Sequence, residues 1–378
     1  MRLTDAPVPG KAQFAIVADD LTGACDSAVA FAQRGLPVRI MLDRKAAPQS
    51  DGVWAISTES RDIAEDAAVL QVCDSLIQAS QAEEVFKKVD SVFRGNTFAE
   101  IRATVENLSH DLAVLSPAYP LMGRTVCDGV LHIKDRGHDR TVDLYAGLHK
   151  SGLKDLALLR KSAAAHEMNS AMRGGCKLVL CDAESDEDLR HTVSEARNLG
   201  KRVLWIGSGG LAFALASELP ENKTPLRSSP AGGVLVLFVG SDHVVTKRQI
   251  AALHASAAAF EASVEKFTHS SLDHRIVILN VLRGVTTEDQ IRSSIEQLIP
   301  QGIACCLMTG GDTAMLVCRA LGVHSLQLTE EFAPGLPQGI ALGGTIDRVP
   351  VILKSGGFGK DDVLCQLSHR FANRKEYV

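Results

Sequence analysis

Short, continuous apolar runs recur along the chain, separated by stretches long enough to form helices. In the first 210 residues they are FAIVA at 14–18, VRIML at 38–42, VWAIS at 53–57, LAVLS at 112–116, KLVLC at 177–181 and RVLWI at 202–206. Parallel strands that are covered on both faces carry continuous rather than alternating apolar residues. The pattern therefore predicts an α/β fold of βαβ units around a largely parallel sheet.

A second set of apolar runs follows a segment rich in proline, serine and glycine, Ser217 to Gly233, which is typical of a linker. These runs are VLVLFV at 234–239, RIVILNV at 275–281, IACCLM at 303–308 and VPVIL at 349–353. We predict a domain at 1–217, a linker at 218–233 and a second domain at 234–378. Each domain should be a largely parallel sheet flanked by helices, with the active site in the cleft between them.

Composition and charge argue against a nucleic-acid-binding, membrane-spanning or exported protein. The 378 residues carry a formal net charge of -5, which argues against a broad nucleic-acid footprint, since such binding relies on clustered Lys and Arg. The apolar runs are strand-sized, and the first 20 residues do not resemble a secretion signal, so no membrane span or export is expected. The nine cysteines show no CxxC pair. A cytoplasmic protein is the prediction.

Paired carboxylates follow the first strand. Asp19 and Asp20 stand between AIVA and a helix-like stretch that begins at Leu21. In open parallel sheets, ligands bind where loops leave the carboxyl ends of strands. Two acids at such a place could orient a polyol or accept a proton, whereas the alternative is that one of them simply caps the helix.

A charged segment, KKVDSVFRGNTFAEI at 87–101, is the second informative place. In it Lys88, Asp90, Ser91 and Arg94 lie close together, with Asn96 next to Gly95. Arginine presents a planar fork that matches a carboxylate, and lysine presents a point charge. The cluster favours a site for a sugar acid, although for any one of these residues alone a solvated loop with a salt bridge is the better interpretation.

Three glycine-containing junctions occur in the second half. TGGDTAMLVCRAL at 309–321 takes a strand through two glycines into a helix, where backbone N–H groups and the helix N-terminus favour a phosphate. Asp312 there could cap the helix or help to place a metal ion. The other two junctions, KSGGFGKDDVL at 354–364 and FVGSDHVVTKRQI at 238–250, could complete a nucleotide site that includes His243. There is no GxxxxGK[ST] motif and no GxGxxG opening the first βαβ unit.

The chain resembles the four-carbon acid sugar kinase family from about residue 14 to residue 364. The strings that carry the resemblance, in order, are ADDLTGACD, STESRDI, KKVDSVFRGN, SPAYPLMGRTVCDG, IGSGGLA, GSDHVVTKRQ, TGGDTA, FAPGLPQG and KSGGFG. The family pairs an N-terminal domain that binds the sugar acid with a C-terminal domain that binds the nucleotide. It phosphorylates acids such as threonate, erythronate or their oxidised relatives.

The resemblance also implies roles for individual residues. Those that would hold the sugar acid are Asp19, Asp20, Arg61, Lys88, Asp90, Ser91 and Arg94, with Gly123 and Arg124 nearby. Those that would surround ATP are Ser241, His243, Gly310, Gly311, Asp312, Thr313, Gly356, Gly357 and Gly359. Arg61 and Arg124 rest on the resemblance alone. The chain departs from the family where His243 replaces a serine and where Val92 and Phe93 replace Thr-Leu.

These observations predict an ATP-dependent and Mg²⁺-dependent kinase of a four-carbon acid sugar. Arg61, Lys88 and Arg94 would bind the acid, the 309–313 turn would stabilise the γ-phosphoryl group, and Asp20 is preferred over Asp312 as the base. Two alternatives stay open: an NAD-dependent sugar-acid dehydrogenase and a sugar-acid sensor without activity. The sequence leaves open the preferred acid, the hydroxyl that is phosphorylated and the oligomeric state, a homodimer included.

Overall fold

The computed structural model describes residues 11–43, 51–134, 139–161, 163–221, 232–268 and 274–372. These residues form two compact units, the first containing residues 11–38 and 51–221 and the second residues 39–43 and 232–372. Most of the predicted linker, residues 222–231, lies outside the described residues. None of the described helices combines the length and the apolar character that crossing a bilayer requires.

The first unit is built on a parallel sheet. Its strands are β1 (Phe14–Ala18), β3 (Val53–Ser57), β4 (Glu84–Lys88), β5 (Leu112–Ser116), β9 (Leu156–Leu159), β10 (Leu178–Cys181) and β11 (Val203–Gly207). They lie in the order β3-β1-β4-β11-β5-β10-β9, and every neighbouring pair is parallel. The carboxyl ends of β3, β1 and β4 therefore meet at one edge.

The helices of the first unit are α1 (Leu21–Gln33), α2 (Glu65–Ala79), α3 (Thr97–Asn107), α4 (Leu144–Lys150), α5 (Ala165–Arg173), α6 (Asp186–Asn198) and α7 (Gly209–Ser217). Local sequence signals fix several of their ends. Ser185 and Asp188 form a reciprocal capping box at the start of α6, and Asp143 caps α4. A small antiparallel sheet follows β5 and contains β6 (Arg124–Cys127), β7 (Val130–Ile133) and β8 (Arg140–Asp143).

The second unit holds a mixed sheet. Its strands are β2 (Val38–Met41, of which 39–41 belong to this unit), β12 (Val234–Val239), β13 (Phe260–Ser263), β14 (Ile276–Asn280), β15 (Ile303–Thr309), β16 (Ser325–Ala333), β17 (Leu336–Leu342) and β18 (Pro350–Lys354). The order is β13-β14-β12-β15-β18-β17-β16-β2. Pairs from β13 to β18 are parallel, whereas β17 runs antiparallel to both of its neighbours.

Helices α8 (Val244–Ser256), α9 (Glu288–Leu298), α10 (Gly311–Ala320) and α11 (Val363–Phe371) accompany this sheet. One core cluster joins Leu235 and Leu237 of β12 to Ile352 of β18 and Leu367 of α11, all fully buried. The predicted α/β class with largely parallel sheets is confirmed. β2 is the element that the sequence placed in the first domain and that the structure groups mainly with the second unit.

Candidate active site

Asp20 starts α1 at the carboxyl end of β1. Its Oδ1 accepts a hydrogen bond from the backbone N–H of Gly23 at 2.7 Å, and its Oδ2 accepts one from the Thr22 hydroxyl at 2.7 Å. The capping alternative weighed for this acid pair is therefore realised at Asp20. A Cβ on Gly23 would lie 2.6 Å from Asp20 Oδ1 and 3.0 Å from Lys88 Nζ, so only glycine lets these groups approach the helix start.

Arg61 lies at the centre of an acidic cluster formed by Asp19, Asp20 and Asp90. Its Nε donates to Asp19 Oδ2 at 2.7 Å and its Nη1 to Asp20 Oδ2 at 2.7 Å, while its Nη2 lies 3.3 Å from Asp90 Oδ2. The arginine is supplied by the loop after β3, and the acids follow β1 and β4. Three neighbouring strand ends thus bring together residues that are far apart in the sequence.

The turn after β4 is organised by Asp90. Asp90 Oδ1 accepts the backbone N–H groups of Val92 and Arg94, and the Arg94 fork donates to both carboxylate oxygens. Burial opposes ionisation, but the Arg94 hydrogen bonds and the Arg61 charge hold the pKa of Asp90 well below its ordinary value. Gly95 closes the turn at φ +67°, where a Cβ would lie 2.4 Å from the Arg61 carbonyl oxygen.

Asp19 and Asp20 differ in their electrostatic environment. Burial raises the pKa of Asp19 above its ordinary value, and the Arg61 charge offsets this only in part. At Asp20 burial acts in the same sense, but Arg61, Lys88 and the hydrogen bonds from Thr22 and Gly23 bring the pKa below its ordinary value. Asp19 Oδ1 is buried and has no hydrogen-bond partner among the described residues. The hydrogen-bonding capacity of this oxygen is therefore not used by the described residues.

A buried hydrogen-bond network lies next to the acidic cluster and includes an ion pair between Lys87 and Glu100. Lys87 Nζ donates to Glu100 Oε2 at 2.7 Å, and the Ser60 hydroxyl donates to Glu100 Oε1 at 2.6 Å. The Thr58 and Ser60 hydroxyl oxygens lie 2.6 Å apart, and the single proton of Thr58 is within reach of both Ser60 and the carbonyl of Ala18. This network ties the loop that carries Arg61 to α3 and β1. This network was not predicted from the sequence, although two adjacent lysines at the end of a strand and a glutamate inside the next helix are a signal that could have indicated it.

The remaining residues predicted to bind the acid lie in two further places of the first unit, the Asp90 turn and the start of β6. Ser91 is half-buried in the Asp90 turn, and Phe93, at φ +56°, packs on Phe98 with ring centroids 5.1 Å apart. Gly123 and Arg124 stand at the start of β6, where the backbone of Arg124 pairs with Tyr119. They follow β5, which lies two places from β4 in the sheet. The hydrogen bonds that hold the acidic cluster run through Arg61 and Arg94.

In the second unit, three strand-to-loop junctions meet at one edge of the sheet. The strands β12, β15 and β18 are consecutive and parallel. A Cβ on Gly240 would lie 1.9 Å from the Thr313 hydroxyl, and one on Gly356 would lie 2.2 Å from the Ser241 hydroxyl. The backbone N–H of Gly310 donates to the Lys354 carbonyl at 2.9 Å. Glycine is therefore required for the contacts among the three predicted phosphate-binding turns.

His243 occupies the N-cap position of α8. Its Nδ1 accepts a hydrogen bond from the backbone N–H of Val245 at 3.2 Å. Ser, Thr, Asp and Asn are the usual residues at an N-cap, and here an imidazole nitrogen accepts the capping hydrogen bond instead. A Cβ on Gly357 would lie 3.3 Å from the His243 ring, which places the imidazole beside the 355–359 turn.

Helix α10 directs its N-terminus at the turn after β15. Gly310 adopts φ +93° just before the helix, and the first N–H groups of a helix lack intrahelical acceptors. Thr309 carries a buried hydroxyl with no hydrogen-bond partner among the described residues. Asp312, in the first helical turn, is exposed and lies 3.4 Å from Arg283. The turn thus offers N–H donors, a hydroxyl and a carboxylate at one place.

Buried side chains that the sequence analysis did not select hold the 355–359 turn. Gln249 of α8 donates to the carbonyls of Phe358 and Lys360, and its side chain lies 3.2 Å from where a Cβ on Gly359 would stand. Thr246 donates to the carbonyl of Gly356 at 2.9 Å. Across the described ranges, no group of three or more His, Cys, Asp or Glu side chains is placed to hold a metal ion.

Two parts of the chain match known domain families. Residues 14–155 and 146–215 match a family described as a sugar-binding N-terminal domain, and residues 284–364 match a nucleotide-binding C-terminal domain. A D-threonate kinase from Bordetella bronchiseptica is 31% identical over 402 residues, which cover 95% of this chain and 98% of the relative.

The chain belongs to the four-carbon acid sugar kinase family. Other relatives in the family are a D-erythronate kinase from Heliobacterium modesticaldum, 26% identical over 93% of this chain and 95% of the relative, and a 3-oxo-tetronate kinase from Pectobacterium atrosepticum, 25% identical over 94% and 99%. The resemblance found in the sequence is thereby confirmed.

Two solved structures share the fold of this chain. A Salmonella typhimurium protein superposes with a TM-score of 0.77 at 21% identity and covers 95% of this chain and 99% of its own. A Haemophilus influenzae protein gives a TM-score of 0.71 at 21% identity, with 94% and 100% covered.

Proposed function

We propose that this protein is an ATP-dependent kinase that phosphorylates a hydroxyl group of a four-carbon acid sugar. The observation that carries the proposal is the convergence of three glycine junctions and the α10 N-terminus at one edge of the second sheet. Relatives named as kinases of threonate, erythronate and 3-oxo-tetronate support the substrate class. The predicted location in a cleft between the domains stays a prediction.

The second unit has a donor set that fits the phosphates of ATP. The N-terminal N–H groups of α10 supply hydrogen bonds and a partial positive charge. The Thr309 hydroxyl, which has no partner among the described residues, is a further hydrogen-bonding group. Mg²⁺ is usually held by one or two carboxylates together with phosphates and water, so the exposed Asp312 carboxylate is the group that would hold it. The ion would neutralise charge on the transferring phosphoryl group.

The first unit has a donor set that fits a hydroxylated anion. Arg94 is more than half exposed even though it pairs with Asp90, and Lys88 Nζ donates to the Val89 carbonyl beside Gly23. These two cations are the candidates for the substrate carboxylate. Arg61 is already engaged by Asp19, Asp20 and Asp90, and its role in the proposal is to fix these carboxylates rather than to bind the substrate directly.

Asp19 is the better candidate for the proton acceptor within the acid pair. A general base is most effective when its pKa approaches the working pH, and burial shifts the pKa of Asp19 in that direction. Asp20, the sequence-based choice, uses its oxygens for the helix cap, Thr22 and Arg61. Asp19 would remove the proton of the attacking hydroxyl while Arg61 holds its second oxygen.

A coupled assay of ADP release tests the proposal. The acceptors are D- and L-threonate, D- and L-erythronate and the 2-oxo and 3-oxo acids, with Mg²⁺ and ATP. Turnover with at least one acid is expected, and none should appear with NAD as the only cofactor. ADP release that does not depend on any acid would contradict the proposal.

The same assay separates the two aspartates. Asp19→Asn should lower kcat by roughly 10²-fold because the proton acceptor is lost. Asp20→Asn keeps hydrogen-bonding ability at the helix cap and should act mainly on KM. The reverse pattern would assign the proton to Asp20.

A further inference from the structure

Lys354 is a fully buried lysine at the carboxyl end of β18. Its Nζ lies 3.1 Å from the Thr246 hydroxyl, 3.2 Å from the Ser355 carbonyl and 3.0 Å from the Gly356 carbonyl. The amine therefore links the start of the 355–359 turn to α8 through hydrogen bonds.

All three acceptors are neutral oxygens. An ammonium group has three N–H donors, whereas a neutral amine has two, so this arrangement matches the charged form. Within the part of the chain that the structure describes, no carboxylate pairs with Lys354. Burial without a counter-charge lowers the pKa of Lys354 to about 7. Near neutral pH the free protein therefore contains both forms of the side chain.

Other titratable side chains lie on the elements around Lys354. His243 lies against the same turn from the start of α8, and Asp312 lies in the first turn of α10. Several further charged side chains of α8 and of the segment after the turn are exposed, among them Lys247, Arg248, Lys360 and Asp361. A proton-uptake experiment therefore has to separate Lys354 from His243.

We propose that Lys354 is a buried cation of the nucleotide site: it holds the glycine turn on α8, and the phosphates of the bound nucleotide balance its charge. The inference rests on the proposed nucleotide site and adds a role for a residue outside the predicted ligand set. Binding of a polyphosphate would favour the ammonium form, and the complex would take up a proton from solution.

Calorimetric titration of the full-length protein measures this uptake. ADP with Mg²⁺ serves as the probe because it cannot transfer its phosphate, and each titration is repeated in buffers of different ionisation enthalpy. Uptake of roughly half a proton at pH 7, rising toward one proton at pH 8, is expected, and above pH 7 the Kd should increase by up to about tenfold per pH unit.

Three variants assign the proton. Lys354→Met keeps the length of the side chain without its charge and should abolish the uptake and raise the Kd at pH 7 at least about tenfold. Lys360→Met, an exposed lysine at the far end of the turn, is the matched control and should behave as wild type. His243→Asn should retain the uptake.

The possible outcomes are distinct. If wild-type protein binds ADP without proton uptake, or if His243→Asn abolishes the uptake while Lys354→Met retains it, the role of Lys354 is refuted and the nucleotide site stands. If wild-type protein does not bind ADP at all, the proposed function fails and this inference fails with it. The wild-type and His243→Asn titrations decide the question even if Lys354→Met does not fold.

Discussion

The ion pair between Lys87 and Glu100 offers a quantitative test of how the first unit supports its acidic cluster. Their side chains are 0% and 2% exposed, and Nζ lies 2.7 Å from Oε2. The Ser60 hydroxyl is bound to the other carboxylate oxygen, one residue before Arg61. The perturbation is Glu100→Leu, which removes the charge and both acceptors.

The expected loss follows from the burial of both partners. Removing one member of a buried pair leaves an uncompensated charge and costs about 3–5 kcal/mol of unfolding free energy. The Ser60 hydroxyl loses an acceptor but keeps Thr58, which adds about 1 kcal/mol at most. Lys87→Met should be destabilising for the same reason. The double variant replaces both charges by apolar groups and should lose much less than the sum of the single losses.

Urea unfolding followed by tryptophan fluorescence is the assay. Both tryptophans of the chain, Trp54 on β3 and Trp205 on β11, are buried in the first unit, so their emission reports the unfolding of that unit. The pair Lys161 and Glu184, at 2.8 Å but about half exposed, is the matched control. Lys161→Met should leave the urea midpoint close to that of wild type, because an exposed ion pair contributes little to stability.

Single variants within about 1 kcal/mol of wild type would refute the argument that burial makes this pair costly to break. Losses that simply add in the double variant would refute the direct coupling between the two side chains. Either result would also weaken the inference that the ion pair between Lys87 and Glu100 stabilises the loop that carries Arg61.

Further expected outcomes concern the two sites. Only an ionised Asp19 can accept a proton, so activity should fall as the pH drops through the raised pKa of Asp19. In a pH profile of kcat/KM, the midpoint of the acid limb should lie above 3.8, the ordinary pKa of an aspartate. A midpoint at or below 3.8 would exclude Asp19 as the proton acceptor. Gly95→Ala should raise the KM for the acid roughly tenfold or more because its Cβ would press on the Arg61 carbonyl, and an unchanged KM would show that the turn tolerates the shift. Asp312→Asn should lower kcat roughly tenfold or more, with partial rescue at high Mg²⁺; an unchanged kcat would remove this carboxylate from the metal site.

The apolar pattern predicted several strands to the residue. β1, β3, β5 and β12 have the predicted bounds because parallel strands covered on both faces must be apolar throughout. β4 was not predicted as a strand because EVFKK ends in two lysines. Both are buried, one through its ion pair with Glu100 and the other beside Gly23, and these tertiary contacts cannot be read from a local pattern.

The residues of the candidate site were likewise predictable only where a local sequence pattern marks them. Asp19 and Asp20 could be selected because they follow a predicted strand of a parallel sheet. The residues after β4 could be selected because several charged and polar side chains lie close together in the sequence. Arg61 lies on a loop with no motif of its own, and only family resemblance pointed to it. Lys354 closes an apolar strand immediately before Ser-Gly-Gly, a visible signal, but its burial depends on α8 folding over the turn.

A crystal structure of the full-length protein with a non-hydrolysable ATP analogue, Mg²⁺ and D-threonate would test the central claim most directly. We predict that the phosphates contact the 310–313 and 355–359 turns and that the acid contacts Asp19, Lys88 and Arg94. A nucleotide bound away from these turns, or an acid bound away from the acidic cluster, would contradict the assignment of the two sites.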